Sequence, residues 1–177
     1  MNLFIVANLF LSLASLSLAV LVFFNARSKM HFLWGVFNVA VGVFGLGMLF
    51  AGMSKNYTNA FWGWKIALVG VANIGLFFYL VVNEFCQLKN RAKWNILAIV
   101  HGILFSILTL ASNFIFDSMR LVFGDFYYYK AGIGWDIFFA IWIIFVVHAF
   151  VNLFKLIQNN SGIKATQARY LFFGMLL

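Results

Sequence analysis

The sequence predicts an all-α, polytopic membrane helix bundle with five complete transmembrane helices and the start of a sixth. Three observations indicate this fold: 65% of the 177 residues are hydrophobic, five apolar stretches are each long enough to cross a bilayer, and basic residues concentrate in alternate loops. About 20 apolar residues in a helix span the roughly 30 Å of a hydrocarbon core. Charged residues make up 9% of the chain, against about 25% in soluble domains, so we expect lipid to surround its apolar surface.

The polar loops between the apolar stretches set the order of the predicted helices. The five expected spans are residues 3–24, 31–53, 62–87, 94–115 and 133–157. A sixth apolar stretch opens near Gln167 and continues to Leu177. Because this stretch is too short to cross a bilayer, we expect a truncated sixth helix and a longer natural chain of which residues 1–177 are the N-terminal part.

The charge that flanks the first span predicts the orientation of the bundle. No basic residue precedes the first apolar run, and that run is longer than the roughly 7–15 residues of a signal-peptide core. Arg27 and Lys29 follow it, so the positive-inside rule places the N-terminus outside and the first loop in the cytoplasm. Eight of the twelve basic residues then fall on the cytoplasmic side: Arg27, Lys29, Lys89, Arg91, Lys93, Lys155, Lys164 and Arg169. This orientation accounts for the net charge of +8 without nucleic-acid binding.

Small residues indicate which helix faces meet. Gly35 and Gly42 lie seven residues apart on the second span, and Gly63 and Gly70 repeat that spacing on the third. Residues at this spacing share one helix face, and small residues let helix backbones approach closely in lipid. We therefore expect a neighbouring helix against each pair.

The longest loop on the predicted outer side, residues 116–132, mixes aromatic and charged residues. This composition suits a short interfacial helix or a hairpin that covers the outer mouth of the bundle. Loops of this length are often functional, which leaves a ligand lid as a second interpretation. Trp64, Lys65 and Asp136 are the residues expected to line the mouth beneath it.

Polar side chains at membrane depth are the main candidates for function, because each is costly to bury in lipid. The predicted responsive core consists of Glu84, His101, His148 and Asn152. By its depth Glu84 could pair with Lys155, meet His148 or Asn152 across the bundle, or simply extend to the membrane interface. Simple charge pairing, and a site where a ligand or proton shifts helix packing, both remain open.

Few residues indicate cofactor or catalytic chemistry. His101 and His148 lie at similar predicted depths on neighbouring antiparallel spans, so they could ligate a haem iron from two sides. Buried hydrogen-bonding histidines are the simpler interpretation, and no cofactor or metal is expected. Cys86 is the single cysteine, and the chain has no phosphate-binding glycine loop, HExxH or GxSxG motif. We therefore expect no enzyme within these residues.

Three segments carry a pattern that is typical of a known membrane family. Two of them are the third span from Trp64 to Phe85 and the first loop from Asn25 to Phe37. The strongest covers residues 127–177, with Tyr127-Tyr128-Tyr129, Leu153-Phe154-Lys155, a turn at Gly162, and Lys164-Ala165-Thr166-Gln167-Ala168-Arg169-Tyr170. With these features the chain resembles the seven-helix N-terminal membrane domain found ahead of bacterial sensor histidine kinases, and sometimes ahead of diguanylate cyclases.

The resemblance implies a bacterial, multi-pass protein of the cytoplasmic (inner) membrane that senses a signal and passes it to a cytoplasmic output domain in the same chain. Any kinase or cyclase activity would belong to that output domain. Sensor kinases usually work as dimers, so the resemblance also implies a homodimer, but it transfers no ligand-binding residue. A haem-binding redox protein, and a small transporter or structural membrane protein, are the alternatives.

Overall fold

A computed structural model describes residues 3–88, 91–122 and 126–175. Its elements are α1 (Leu3–Phe24), α2 (Lys29–Met53), α3 (Tyr57–Cys86), α4 (Arg91–Ala111), β1 (Phe116–Val122), β2 (Phe126–Ala131), α5 (Ile133–Asn159) and α6 (Ile163–Gly174). The helices α1 to α5 have the length and hydropathy of membrane spans. The prediction of a multi-pass helical bundle with five spans is confirmed.

Capping residues extend α2 and α3 into polar sequence, so both helices begin earlier than the apolar pattern predicts. The Ser28 hydroxyl accepts a hydrogen bond from the backbone N–H of His31, and α2 starts at Lys29. Asn56 Oδ1 accepts from the N–H of Asn59 at 2.9 Å, so α3 starts at Tyr57 rather than at residue 62. Both caps satisfy N–H groups that the first helical turn leaves without a partner.

The helix α3 is the centre of the bundle. Of its apolar stretch 67% is buried, against at most 39% in the other four spans. The helices α2, α4 and α5 pack around it, α1 packs on the outer side of α2, and α6 packs on α5. Polar residues carried by α3 are therefore held inside protein, whereas α1 and α4 present broad apolar faces to their surroundings.

The glycine pairs lie at helix contacts, as their spacing predicts. A Cβ atom added at Gly63 would lie 2.6 Å from the backbone nitrogen of Ala51 in α2, and Gly70 meets the α2 backbone in the same way. Added Cβ atoms at Gly35 and Gly42 would overlap side chains of α1. These positions allow α2 to pack closely on both neighbours.

Residues 116–131 form an antiparallel hairpin of β1 and β2 within the otherwise helical bundle, which selects the hairpin over the interfacial helix. Leu121 pairs with Tyr127, and Val122 pairs with Phe126; such aromatic–aliphatic pairs favour a strand. Phe126 also packs on Phe4 of α1, with ring centroids 5.1 Å apart. The hairpin therefore covers the end of the bundle where α1 begins.

The two ends of the bundle differ in charge. The hairpin end holds the α2–α3 loop and the hairpin, whereas the opposite end, here called the basic end, holds the loops that follow α1, α3 and α5. The described basic residues at or near the basic end are Arg27, Lys29, Arg91, Lys93, Lys155, Lys164 and Arg169. Lys89, which the sequence also predicts on the cytoplasmic side, lies outside the described residues.

Candidate functional site

A cluster of polar side chains lies inside the half of the bundle nearer the basic end. It consists of Tyr79, Asn83, Asn95, His148 and Asn152, and it is called the polar cluster below. The hydroxyl of Tyr79 lies 2.9 Å from His148 Nδ1, and Asn152 Nδ2 lies 3.4 Å from His148 Nε2. Asn83 Nδ2 donates to Asn95 Oδ1 at 2.7 Å. Side chains of α3, α4 and α5 are thus joined where lipid offers no hydration.

Helical spacing places these residues together. Tyr79 and Asn83 are four residues apart on α3, and His148 and Asn152 are four apart on α5. Residues at this spacing lie on one face, one turn apart. Tyr79, Asn83 and Asn152 are buried, so these faces meet inside the bundle.

A cavity of about 160 Å³ adjoins the polar cluster. Its wall is formed by Tyr79, Asn83, Leu88, Arg91, Trp94, His148 and Asn152. Asn83 is fully buried, and its Oδ1 has no hydrogen-bond partner among the described residues. Leaving a buried acceptor unsatisfied costs about 1–3 kcal/mol. Asn83 Oδ1 at the cavity wall is therefore an acceptor that a bound hydrogen-bond donor would stabilise.

Glu84 does not join the polar cluster. Its Oε2 lies 3.4 Å from Lys29 Nζ and 3.3 Å from a terminal nitrogen of Arg91. The predicted partner Lys155 is exposed, and the prediction that Glu84 pairs with it is wrong. One residue is about 100° of helix rotation, so Asn83 faces the interior while its neighbour Glu84 faces the start of α2. Arg91 links this ion-pair group to the cavity.

His101 occupies a separate aromatic site. Its ring is buried and stacks on Phe138 of α5, with centroids 5.3 Å apart and planes 6° apart, and it also contacts Phe105. Phe145 packs against both His101 and Tyr79. Phe145 therefore lies between His101 and Tyr79, and no contact of the described residues joins His101 to His148.

The contacts of His148 lend haem ligation no support. One ring nitrogen lies beside the Tyr79 hydroxyl and the other beside the Asn152 amide. An axial haem ligand must offer a nitrogen lone pair to the iron. Iron binding would require His148 to give up one of these two partners.

Two residues of the predicted outer mouth serve as backbone anchors. Trp64 is buried, and its Nε1 donates to the carbonyl of Tyr127 at 2.8 Å, which fixes the hairpin to α3. Lys65 Nζ donates to the carbonyls of Leu110 and Ser112, each at 3.1 Å. These carbonyls lie at the C-terminus of α4, where helix groups lack internal partners and a positive charge is favourable.

Asp136, the third predicted residue of the mouth, is exposed on the first turn of α5. A carboxylate is favourable near a helix N-terminus, which accounts for its position. The structure thus divides the predicted outer group into two buried anchors and one exposed acid.

Sequence reasoning missed Tyr79, Arg91, Trp94 and Asn95 as members of the site. The spacing of Tyr79 and Asn83 is a signal that was available, because both are polar at membrane depth. Arg91 was missed because the predicted fourth span started at residue 94, whereas α4 starts at Arg91. Arg91 and Asn95 are then one helical turn apart.

Comparison of the chain with protein-family models, with curated proteins and with solved structures finds no match.

Proposed function

We propose that this chain is the membrane-embedded, signal-sensing input domain of a bacterial signal-transduction protein similar to a sensor histidine kinase. It lies in the inner membrane with its N-terminus outside, and it passes a stimulus to a cytoplasmic output domain in the same polypeptide. The observation that carries the proposal is the polar cluster, with its adjoining cavity, inside the helix bundle.

The polar cluster has the properties of a responsive element. Polar groups at membrane depth are costly and commonly functional, and these ones join three helices through side-chain contacts alone. A ligand that satisfies the free acceptor of Asn83 would favour the helix packing in which it binds best, which is the energetic requirement for a conformational signal.

The contacts of α5 provide a route toward the chain beyond α6. His148 and Asn152 lie on α5. Two phenylalanines of the same part of α5, Phe150 and Phe154, pack on Phe172 of α6. The centroid of Phe150 is 5.3 Å from that of Phe172. A rotation of α5 at the polar cluster would therefore displace α6, which leads to the proposed output domain.

The coding sequence downstream of Leu177 is the first test. We expect it to complete the membrane domain and to continue into a histidine kinase or diguanylate cyclase domain. A continuation into further membrane spans without any cytoplasmic domain would favour the transporter alternative and would contradict the proposal.

The second test measures output in membranes that contain the full-length protein. Replacing His148 by Leu removes the contacts to Tyr79 and Asn152, so we expect autophosphorylation or cyclase activity to lose its response to stimulus. Val147→Leu is the matched control, because Val147 is adjacent on α5 but exposed on the outer face of the bundle. Equal output from both variants would remove the polar cluster from the mechanism.

A further inference from the structure

The cavity beside the polar cluster is small, and most of its wall-forming side chains are polar or aromatic. Its volume is about 160 Å³, below the roughly 300–1,000 Å³ of pockets for drug-sized ligands. It lies next to Leu88 and Arg91, where α3 connects to α4 at the basic end. A molecule of a few heavy atoms fits there.

Arg91 gives the cavity wall its positive charge. Within residues 3–88, 91–122 and 126–175 the charged partner of its guanidinium is Glu84, at 3.3 Å through one terminal nitrogen. A guanidinium has five N–H donors, so others remain for a ligand. Carboxylates and phosphates are the groups that match its planar fork.

The charge balance around Arg91 favours a single negative charge. Arg91 and Lys29 share one carboxylate, that of Glu84. The three groups together therefore carry one positive charge. A monoanionic carboxylate neutralises the charge of these three groups, whereas a phosphate dianion would leave them with an excess negative charge.

Asn83 adds a second requirement. Its Oδ1 is buried without a hydrogen-bond partner, while its Nδ2 is committed to Asn95. A ligand that meets this acceptor must donate a hydrogen bond, which a plain carboxylate cannot do. A hydroxyl beside the carboxylate supplies the donor at the smallest size.

We infer that the cavity binds a small hydroxycarboxylate, whose carboxylate is held by Arg91 and whose hydroxyl donates to Asn83. The Trp94 ring, 5.5 Å from the ring of His148, forms a wall of the site. Tyr79 and Asn152 hold the His148 ring in place, and the His148 ring in turn packs against Trp94. That this binding acts as a signal rests on the proposed function; the binding itself does not.

The test uses glycolate, acetate and inorganic phosphate as probes, with the purified chain in nanodiscs of neutral phosphatidylcholine and isothermal titration calorimetry. We expect saturable glycolate binding that is roughly five- to tenfold tighter than acetate binding, which is the effect of one additional hydrogen bond. Phosphate should bind more weakly than glycolate. Absence of saturable glycolate binding, equal binding of glycolate and acetate, or preference for phosphate would overturn the inference.

Two pairs of variants separate recognition from structural effects. Arg91→Gln and Lys29→Gln each remove one cation from Glu84, but only Arg91 lines the cavity. We expect Arg91→Gln to abolish glycolate binding and Lys29→Gln to retain it. Equal losses would make Arg91 merely a counter-ion for Glu84 and would overturn the inference.

The second pair tests the hydroxyl contact. Asn83→Leu and Asn95→Leu both break the hydrogen bond between these residues, but only Asn83→Leu removes the free Oδ1. We expect the preference for glycolate over acetate to vanish in Asn83→Leu and to persist in Asn95→Leu. Persistence in both variants would contradict the assignment.

The outcomes also distinguish the inference from the proposed function. If His148→Leu changes the signalling output but calorimetry detects no glycolate binding, only the inference about the ligand is overturned. Glycolate binding combined with output that is insensitive to His148→Leu would overturn the proposed function alone.

Discussion

Lys65 and Glu84 show two ways in which a charged side chain is accommodated within an apolar bundle. Lys65 is 5% exposed and donates to backbone carbonyls at the end of α4. Glu84 is bound by cations from the beginnings of two other helices. Sequence alone identified both as unusual, but could not assign their partners, because those depend on the rotation of each helix about its axis.

Replacing Lys65 by Met tests its anchoring role. The carbonyls of Leu110 and Ser112 would lose a charged donor, so we expect the free energy of unfolding to fall by about 1–3 kcal/mol. The measurement is thermal unfolding in detergent. Lys55→Met, at an exposed loop position of the same end, should leave the melting temperature unchanged; equal melting temperatures for all three proteins would contradict the anchoring role.

Burial of Tyr129 in the hairpin should make the folded protein less stable at alkaline pH. Burial, reinforced by Tyr128, raises the pKa of Tyr129 to about 12, against about 10 in an unfolded chain. The protonated phenol is therefore favoured by folding, and its contribution is complete below pH 10 and lost as the pH rises toward 12.

Ultraviolet titration of the phenolate checks this expectation. Tyr129 should ionise late, near pH 12, and Tyr129→Phe should reduce the amplitude of the late phase by one tyrosine. Tyr170→Phe, which alters an exposed residue of α6, should leave the phase in place. A late phase of unchanged amplitude in Tyr129→Phe would contradict the assignment.

At the scale of elements, apolar length identified all five spans, and glycine spacing identified the faces on which α2 meets α1 and α3. Helix starts were less predictable, since the caps Ser28 and Asn56 extend helices through polar residues. The same limitation concealed Arg91, which begins α4 and lines the cavity. The sequence of residues 116–132 suited either a hairpin or an interfacial helix. The choice depends on contacts with Trp64 and Phe4, which lie far away in the sequence.

Replacing Gly63 by Ala tests the close contact of α2 and α3. The new Cβ would lie 2.6 Å from a backbone atom of Ala51, so the helices must separate, and we expect a loss of about 1–3 kcal/mol in thermal unfolding. Gly174→Ala is the control, because a Cβ there meets nothing within 4 Å. An unchanged melting temperature for Gly63→Ala would contradict the packing.

At the scale of the whole molecule, the alternation of basic loops corresponds to two ends of the bundle that differ in the number of basic residues. The structure brings the loops after α1, α3 and α5 to one end and the hairpin to the other. The polar cluster lies nearer the basic end, and so does the cavity. If that end faces the cytoplasm, as the positive-inside rule predicts, the cavity lies nearer the cytoplasmic side, which is also the side of the proposed output domain.

Cysteine accessibility in intact cells tests this orientation most directly. In a Cys86→Ser background, Lys55→Cys places a thiol in the α2–α3 loop at the hairpin end, and Ser161→Cys places one in the α5–α6 loop at the basic end; both positions are exposed. We predict that a membrane-impermeant maleimide labels Lys55→Cys on intact cells and labels Ser161→Cys only after the membrane is opened. Labelling of both thiols from the same side, or of Ser161→Cys alone on intact cells, would contradict the account.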